Sequence, residues 1–321
     1  GCTEKNAEPD SAAASSTPAA ISFTPAAGES FLAVPGGKIW YRVVGSGAAT
    51  PAILLHGGPG FSSYYMKPYE EGLKADRRIV RYDQLGAGHS DVITDTAMFN
   101  IAHFVNELDS LRAHLGYDKV YLIGHSWGTM LAVEYYRVHP EHVAAMVLAS
   151  PALDIPAWER NARRLVTTLP DSEQRAIKVR EAEKKFDAPD YTHALDDFYA
   201  RYVWRHPDSV NLDSTMRSAN MGIYNYMQGP SEFSITGTLK YYDSTPFLKT
   251  VKVPVLFTVG EFDEADPPTV KRFAAMTPGA KYAVIPGSAH MVGWDNPRAT
   301  MKVIGDFLRG VDSADSAHAG H

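Results

Sequence analysis

VYLIGHSWGTMLAVEYY, Val120 to Tyr136, is an apolar run that breaks at Gly124-His125-Ser126-Trp127-Gly128 and then resumes with helix-forming residues. The pattern G-x-S-x-G alone says little, because average residue usage yields it by chance in about one chain in ten of this length. Its surroundings carry the argument. A serine that is to attack stands on a turn too sharp for bulky neighbours, between a strand and a helix whose N-terminus faces the developing negative charge. Strand, paired glycines and helix are all here, so Ser126 is the candidate nucleophile.

Working outward, PAILLHGG, RIVRYDQLG and AAMVLAS are further short apolar runs that each end in Gly or Ser, as buried parallel strands do when their loops carry function. Between them, Ile101, Phe104, Val105, Leu108, Leu111 and Leu115 recur at helical spacing, with Gly116 closing that helix. A second helix is expected from about Gly128 to just before Pro140. Upstream, ESFLAVPGGKIWYRVVGSG alternates around Gly36-Gly37 and reads as an antiparallel hairpin. From Ala152 to about Thr245 the strands vanish and charged amphipathic segments such as SEQRAIKVREAEKKF and HALDDFYARYVW replace them. VPVLFTVG and AKYAVIPG then restore the strand rhythm. The expectation is an α/β protein with a mostly parallel, doubly wound sheet, ligands at the carboxyl ends of its strands, and an inserted helical cap. Its boundaries are a flexible tether at 1–28, a core at 29–151 and 246–310, a cap at 152–245 and a frayed polar tail at 311–321.

With 321 residues the chain can bury a full core, and 31 basic against 37 acidic residues, the basic ones scattered, argue against nucleic acid and against a polybasic membrane patch. No apolar run reaches the roughly 20 residues that a membrane helix needs. The single cysteine, Cys2, excludes an intrachain disulfide. Gly1-Cys2 followed by an Ala/Ser/Pro-rich stretch resembles a bacterial lipoprotein with Cys2 as the residue that carries the lipid, which implies the periplasm or cell envelope. The other reading is a plain leader on a cytoplasmic chain.

A serine needs a base and a stabilised oxyanion. In LLHGGPG the glycines let backbone N–H groups approach a substrate, and Pro59 has no N–H, so Gly58 is the expected donor beside that of Trp127. Among 12 histidines, His290 lies past a Pro-Gly turn after the last apolar strand, where a loop can carry it over Ser126. His56 and His125 are expected to serve their own loops. TVGEFDEADP packs Glu261, Asp263, Glu264 and Asp266 behind a strand. Charges so close repel, and at least one needs a cationic partner.

The motifs HGGPG, YDQLGAGHS, GHSWG, GEFDE and GSAH, in this order from Phe31 to Leu308, resemble the α/β-hydrolase peptidases of the proline iminopeptidase family. YMQGPSEFSITGTLKYYD is similar to the Gly-Pro-x-Glu-Phe-x-Ile-Thr-Gly segment of its tricorn-interacting aminopeptidase branch. The resemblance implies a triad of Ser126, Asp263 and His290, and Glu232 and Glu264 as ligands for the free α-ammonium group of a small peptide or aminoacyl amide. It implies neither cofactor nor metal. Leu85 stands where relatives often have Arg, and His125 where they have Gly or Ser, so the side-chain preference stays open between proline and other small or apolar residues. Cap aromatics such as Trp158, Tyr199, Tyr202, Trp204, Tyr224 and Phe233 are candidates for an apolar wall or for plain core. Two other functions remain open: an esterase or lactonase, which has no need of the two glutamates, and a non-catalytic lipoprotein that binds peptides.

Overall fold

The structure, a computed structural model, describes residues 24–320. Cys2 and most of the expected tether lie outside them. Strands β1 (Glu29–Val34), β2 (Gly37–Val44), β3 (Ala49–Leu55), β4 (Arg77–Tyr82), β5 (Val120–His125), β6 (Val143–Ala149), β7 (Val255–Gly260) and β8 (Lys281–Ile285) form one sheet in the order β1-β2-β4-β3-β5-β6-β7-β8. β1 and β2 are the expected hairpin, with Val34 paired to Gly37 across a turn in which Gly36 takes φ +98°, a conformation that disfavours any side chain. β2 also meets β4 antiparallel, and from β4 to β8 every pairing is parallel.

The inner strands are apolar throughout because both faces are covered: Ile53, Leu54, Leu122, Ile123, Val147, Leu148 and Phe257 are all fully buried. The covering helices include α1 (Lys67–Leu73), α2 (Ile101–His114) and α3 (Trp127–Val138). The side chain of Asn100 caps α2 through the His103 N–H, and its buried face carries Phe104, Val105, Leu108 and Leu111. Between β6 and β7 stand α4 (Ile155–Val166), α5 (Asp171–Glu183), α6 (Pro189–Tyr202), α7 (Ser209–Ser218) and α8 (Met221–Met227). A short α9 (Thr245–Leu248) leads into β7, and α10 (Pro267–Met276), α11 (Val292–Asp295) and α12 (Pro297–Ala319) follow it.

The expectation of a frayed tail at 311–321 is corrected over its described part. α12 continues through it to Ala319, because Val311 is buried and Asp312 accepts hydrogen bonds from Arg77 at 3.1 and 2.5 Å and from Tyr121 at 2.8 Å. Polar composition hid a helix held by side-chain bonds to the sheet. No helix among the described residues is long and apolar enough to cross a membrane.

Candidate active site

The loops after β3, β5, β6, β7 and β8 leave neighbouring strands along one carboxyl edge, and the strand order reverses direction at β3, where a crevice is expected in such a sheet. Ser126 follows β5 directly at φ 55° and ψ −120°, a left-handed conformation for a residue with a side chain, and caps the N-terminus of α3. Both flanking glycines are required by contact. A Cβ on Gly124 would overlap the Gly128 carbonyl, and one on Gly128 would overlap the Leu55 carbonyl of β3. Trp127, first residue of α3, has no helical carbonyl one turn back to receive its N–H. On the β3 loop, the Gly57 N–H is already spent on the Tyr65 hydroxyl at 2.5 Å. With Pro59 lacking an N–H, Gly58 is the residue left to donate there.

His290, after β8, and Asp263, after β7, are buried and joined, Nδ1–H donating to Asp263 Oδ1 at 2.9 Å. A carboxylate only accepts, so this bond fixes the tautomer and leaves the lone pair of His290 on Nε2. Asp263 also receives Ser150 Oγ at 2.5 Å, Gly260 N–H at 3.1 Å and Ala265 N–H at 2.8 Å. Burial opposes its ionisation, yet the charge and hydrogen bond of His290, with those of Ser150 and Ala265, hold its carboxyl below the ordinary value. Ser150 escaped sequence reasoning as a site residue. Its one signal is that AAMVLAS ends in a polar residue at the strand's carboxyl end.

Ser126, Gly58, Trp127 and Glu232 line one narrow crevice, closed by Met130, Ile155, Trp158 and Leu239. Glu232 accepts from the Tyr224 hydroxyl at 3.0 Å, and its own carbonyl accepts the Trp158 indole N–H at 3.0 Å. Glu264 is fully buried, one carboxyl oxygen lies 3.9 Å from His290 Nε2, and neither oxygen has a donor among the described residues. Burial, then the charges of Glu232 and Asp263, push its carboxyl well above the ordinary value. Burial raises Glu232 too, against the lowering effects of His290 and Tyr224. Burial thus favours the neutral form of both carboxyls.

The remaining acids of TVGEFDEADP are tied locally. Glu261 accepts from Gly287 N–H at 2.8 Å, while Asp266 caps α10 through Thr269 and pairs with Arg164 at 2.8 Å. Of the aromatics, Trp158 walls the crevice, Tyr224 orients Glu232, and Phe233 is core, packed edge-on to Phe198 at 4.9 Å. His56 is spent on its loop, Nδ1–H donating to the Gly57 carbonyl at 2.9 Å and Nε2 accepting Gln84 N–H at 3.0 Å. Among the described residues no cluster of His, Cys, Asp and Glu is arranged to hold a metal ion.

A parallel sheet with a serine on a strained elbow, and an acid and a histidine on the loops of later strands, defines an α/β hydrolase, and a family model described as alpha/beta hydrolase fold matches residues 50–297. The chain belongs to the proline iminopeptidase family. It is 39% identical over 289 residues to the proline iminopeptidase of Heyndrickxia coagulans, covering 88% of this chain and 99% of that one. Among solved structures, VinJ is 30% identical with a TM-score of 0.85, covering 89% of this chain and all of its own. The proline iminopeptidase of Mycobacterium smegmatis is 28% identical with a TM-score of 0.80, over 89% of this chain and 99% of that one. The chain is thus a prolyl aminopeptidase-like serine hydrolase.

Proposed function

We propose that the enzyme removes an N-terminal proline, or another small apolar residue, from short peptides or aminoacyl amides through an acyl-enzyme. The observation that carries this is the fully buried carboxyl of Glu264, without a donor among the described residues and raised by the charge of Glu232, which itself lines the crevice of Ser126. A protonated α-nitrogen relieves both acids at once. Proline's secondary ammonium has two N–H donors, one for each carboxylate. With the amine held there, the first carbonyl of the substrate falls at Ser126, and a blocked or longer N-terminus does not fit. An esterase leaves this costly pair without a use.

In this reading Ser126 Oγ attacks the carbonyl while His290 Nε2 takes its proton. Asp263 holds the imidazole and stabilises the imidazolium that forms. The N–H groups of Gly58 and Trp127 receive the oxyanion, and each is worth about 3 kcal/mol in the transition state. His290 returns the proton to the leaving amine, and water then hydrolyses the ester on Ser126 by the same route. The segment between β6 and β7 acts as a cap that supplies Trp158 from α4 and Glu232 from the loop after α8, and excludes water. We also propose that Cys2 carries a lipid that holds the enzyme at the cell envelope. Partition of the native protein into the aqueous phase of a detergent two-phase system would refute that.

The test of the main proposal compares the p-nitroanilides of proline and N-acetylproline. Cleavage of the free form alone is expected, and equal rates on the two would remove the ammonium site.

A further inference from the structure

The hydrogen bonds of His125 admit one assignment of protons. A carbonyl only accepts, so His125 Nε2 carries the hydrogen and donates to the His290 carbonyl at 2.8 Å. Nδ1 is then an acceptor and receives the Tyr65 hydroxyl at 3.0 Å. The Tyr65 oxygen in turn accepts the Gly57 N–H at 2.5 Å. One directed chain therefore runs from the β3 loop, next to Gly58, through Tyr65 and His125 to the backbone of His290.

Its links are closed to solvent, with Tyr65 4% and His125 2% exposed, so water does not stand in for a lost partner. Gly57 lies against the elbow: a Cβ there would come 2.9 Å from the Tyr65 oxygen and 3.3 Å from the Ser126 Cβ. The rings of His125 and His290 are 4.7 Å apart, so the chain also packs on the base it holds. Burial, then the neighbouring His290, bring His125 down to about 3, which keeps the neutral form that the bonding pattern requires.

We propose that Tyr65 and His125 are positioning residues, whose directed hydrogen-bond chain holds the oxyanion loop and the base loop in register across Ser126. This rests on the reading of Ser126 as nucleophile and His290 as base. Displacements well under 1 Å at the reacting atoms cost rate rather than binding, so the two residues act on kcat. Because they form one chain, breaking either link does the damage of breaking both.

The test measures the second-order rate of Ser126 labelling by a fluorophosphonate, together with kcat and KM on prolyl p-nitroanilide, in Tyr65→Phe, His125→Phe, their double variant and His125→Gln. Expected is labelling slowed by about 10- to 100-fold in each single variant, and kcat reduced with KM unchanged. The double variant should be no slower than the slower single one. His125→Gln, whose amide offers one donor and one acceptor in the same order, should recover most of the rate. Labelling of Tyr65→Phe within about twofold of wild type, or additive losses in the double variant, would overturn the proposal whatever happens to Tm. If His125→Phe does not fold, Tyr65→Phe, which removes a single oxygen, decides alone. A wild type that reacts with the fluorophosphonate but ignores the prolyl anilide removes the aminopeptidase reading and leaves the labelling comparison in force.

Discussion

Asp263 and Glu264 are adjacent carboxylates with opposite surroundings. The first collects His290, Ser150 and the backbone N–H groups of Gly260 and Ala265, while the second has no donor among the described residues. Satisfied, Asp263 stays ionised and orients the base; unsatisfied, Glu264 keeps a proton into a range where an exposed carboxyl has lost it. In the function proposed above, an ammonium binds only when that proton leaves. The sign follows: KM for prolyl p-nitroanilide should fall as pH rises from the ordinary carboxylate range through the raised titration of Glu264. Glu264→Gln should raise KM and flatten its pH dependence. A wild-type KM that is flat over this window would contradict the role. The cluster of acids was visible in the sequence, but the split between them was not, since it depends on the Ser150 hydroxyl and the His290 imidazole that the loops of β6 and β8 bring to Asp263.

At the scale of elements, the strand, elbow and helix around Ser126 were legible because an apolar run, paired glycines and helix-forming residues follow one another directly in the chain. Partners of the helix interiors were less so. Glu107 sits on the buried face of α2, one turn from Phe104 and Leu111, where helical periodicity marks an apolar position. It accepts the Leu85 N–H at 3.1 Å, and burial pushes its carboxyl up to about 8. A folded value above the unfolded one adds stability that is complete below the ordinary carboxylate range and is lost as pH rises through 8. Glu107→Gln keeps an acceptor for Leu85 without the charge. It should therefore gain Tm on wild type between neutral pH and pH ~9, with a smaller gain near pH ~5. Equal shifts at both ends would show that Glu107 is not ionising inside the fold.

Across the whole molecule, distant segments of the chain are joined by charge. Arg77, at the start of β4 and 1% exposed, depends on Asp312 of α12 for its bidentate partner. Asp312→Ala leaves that guanidinium buried with the Thr50 carbonyl and the Tyr121 ring but no counter-charge from Asp312, and should cost about 2–4 kcal/mol in denaturant unfolding. A loss below about 0.5 kcal/mol would mean that the last turns of α12 do fray after all. This pairing, like the tie of α6 to the site through the Tyr202 carbonyl, which accepts from the N–H groups of both Glu264 and His290, joins residues far apart in the chain. No local pattern announces such contacts. By itself the sequence determined the sheet, the order of its loops, the elbow and the residues that can do chemistry, because strand patterning, turn residues and side-chain type are written in a few neighbouring residues. Only the tertiary structure decided which acid is satisfied and which has no donor among the described residues, that the Gly57 N–H is spent on Tyr65, and that His125 links two loops. Those properties depend on which donors and acceptors meet in a place without water.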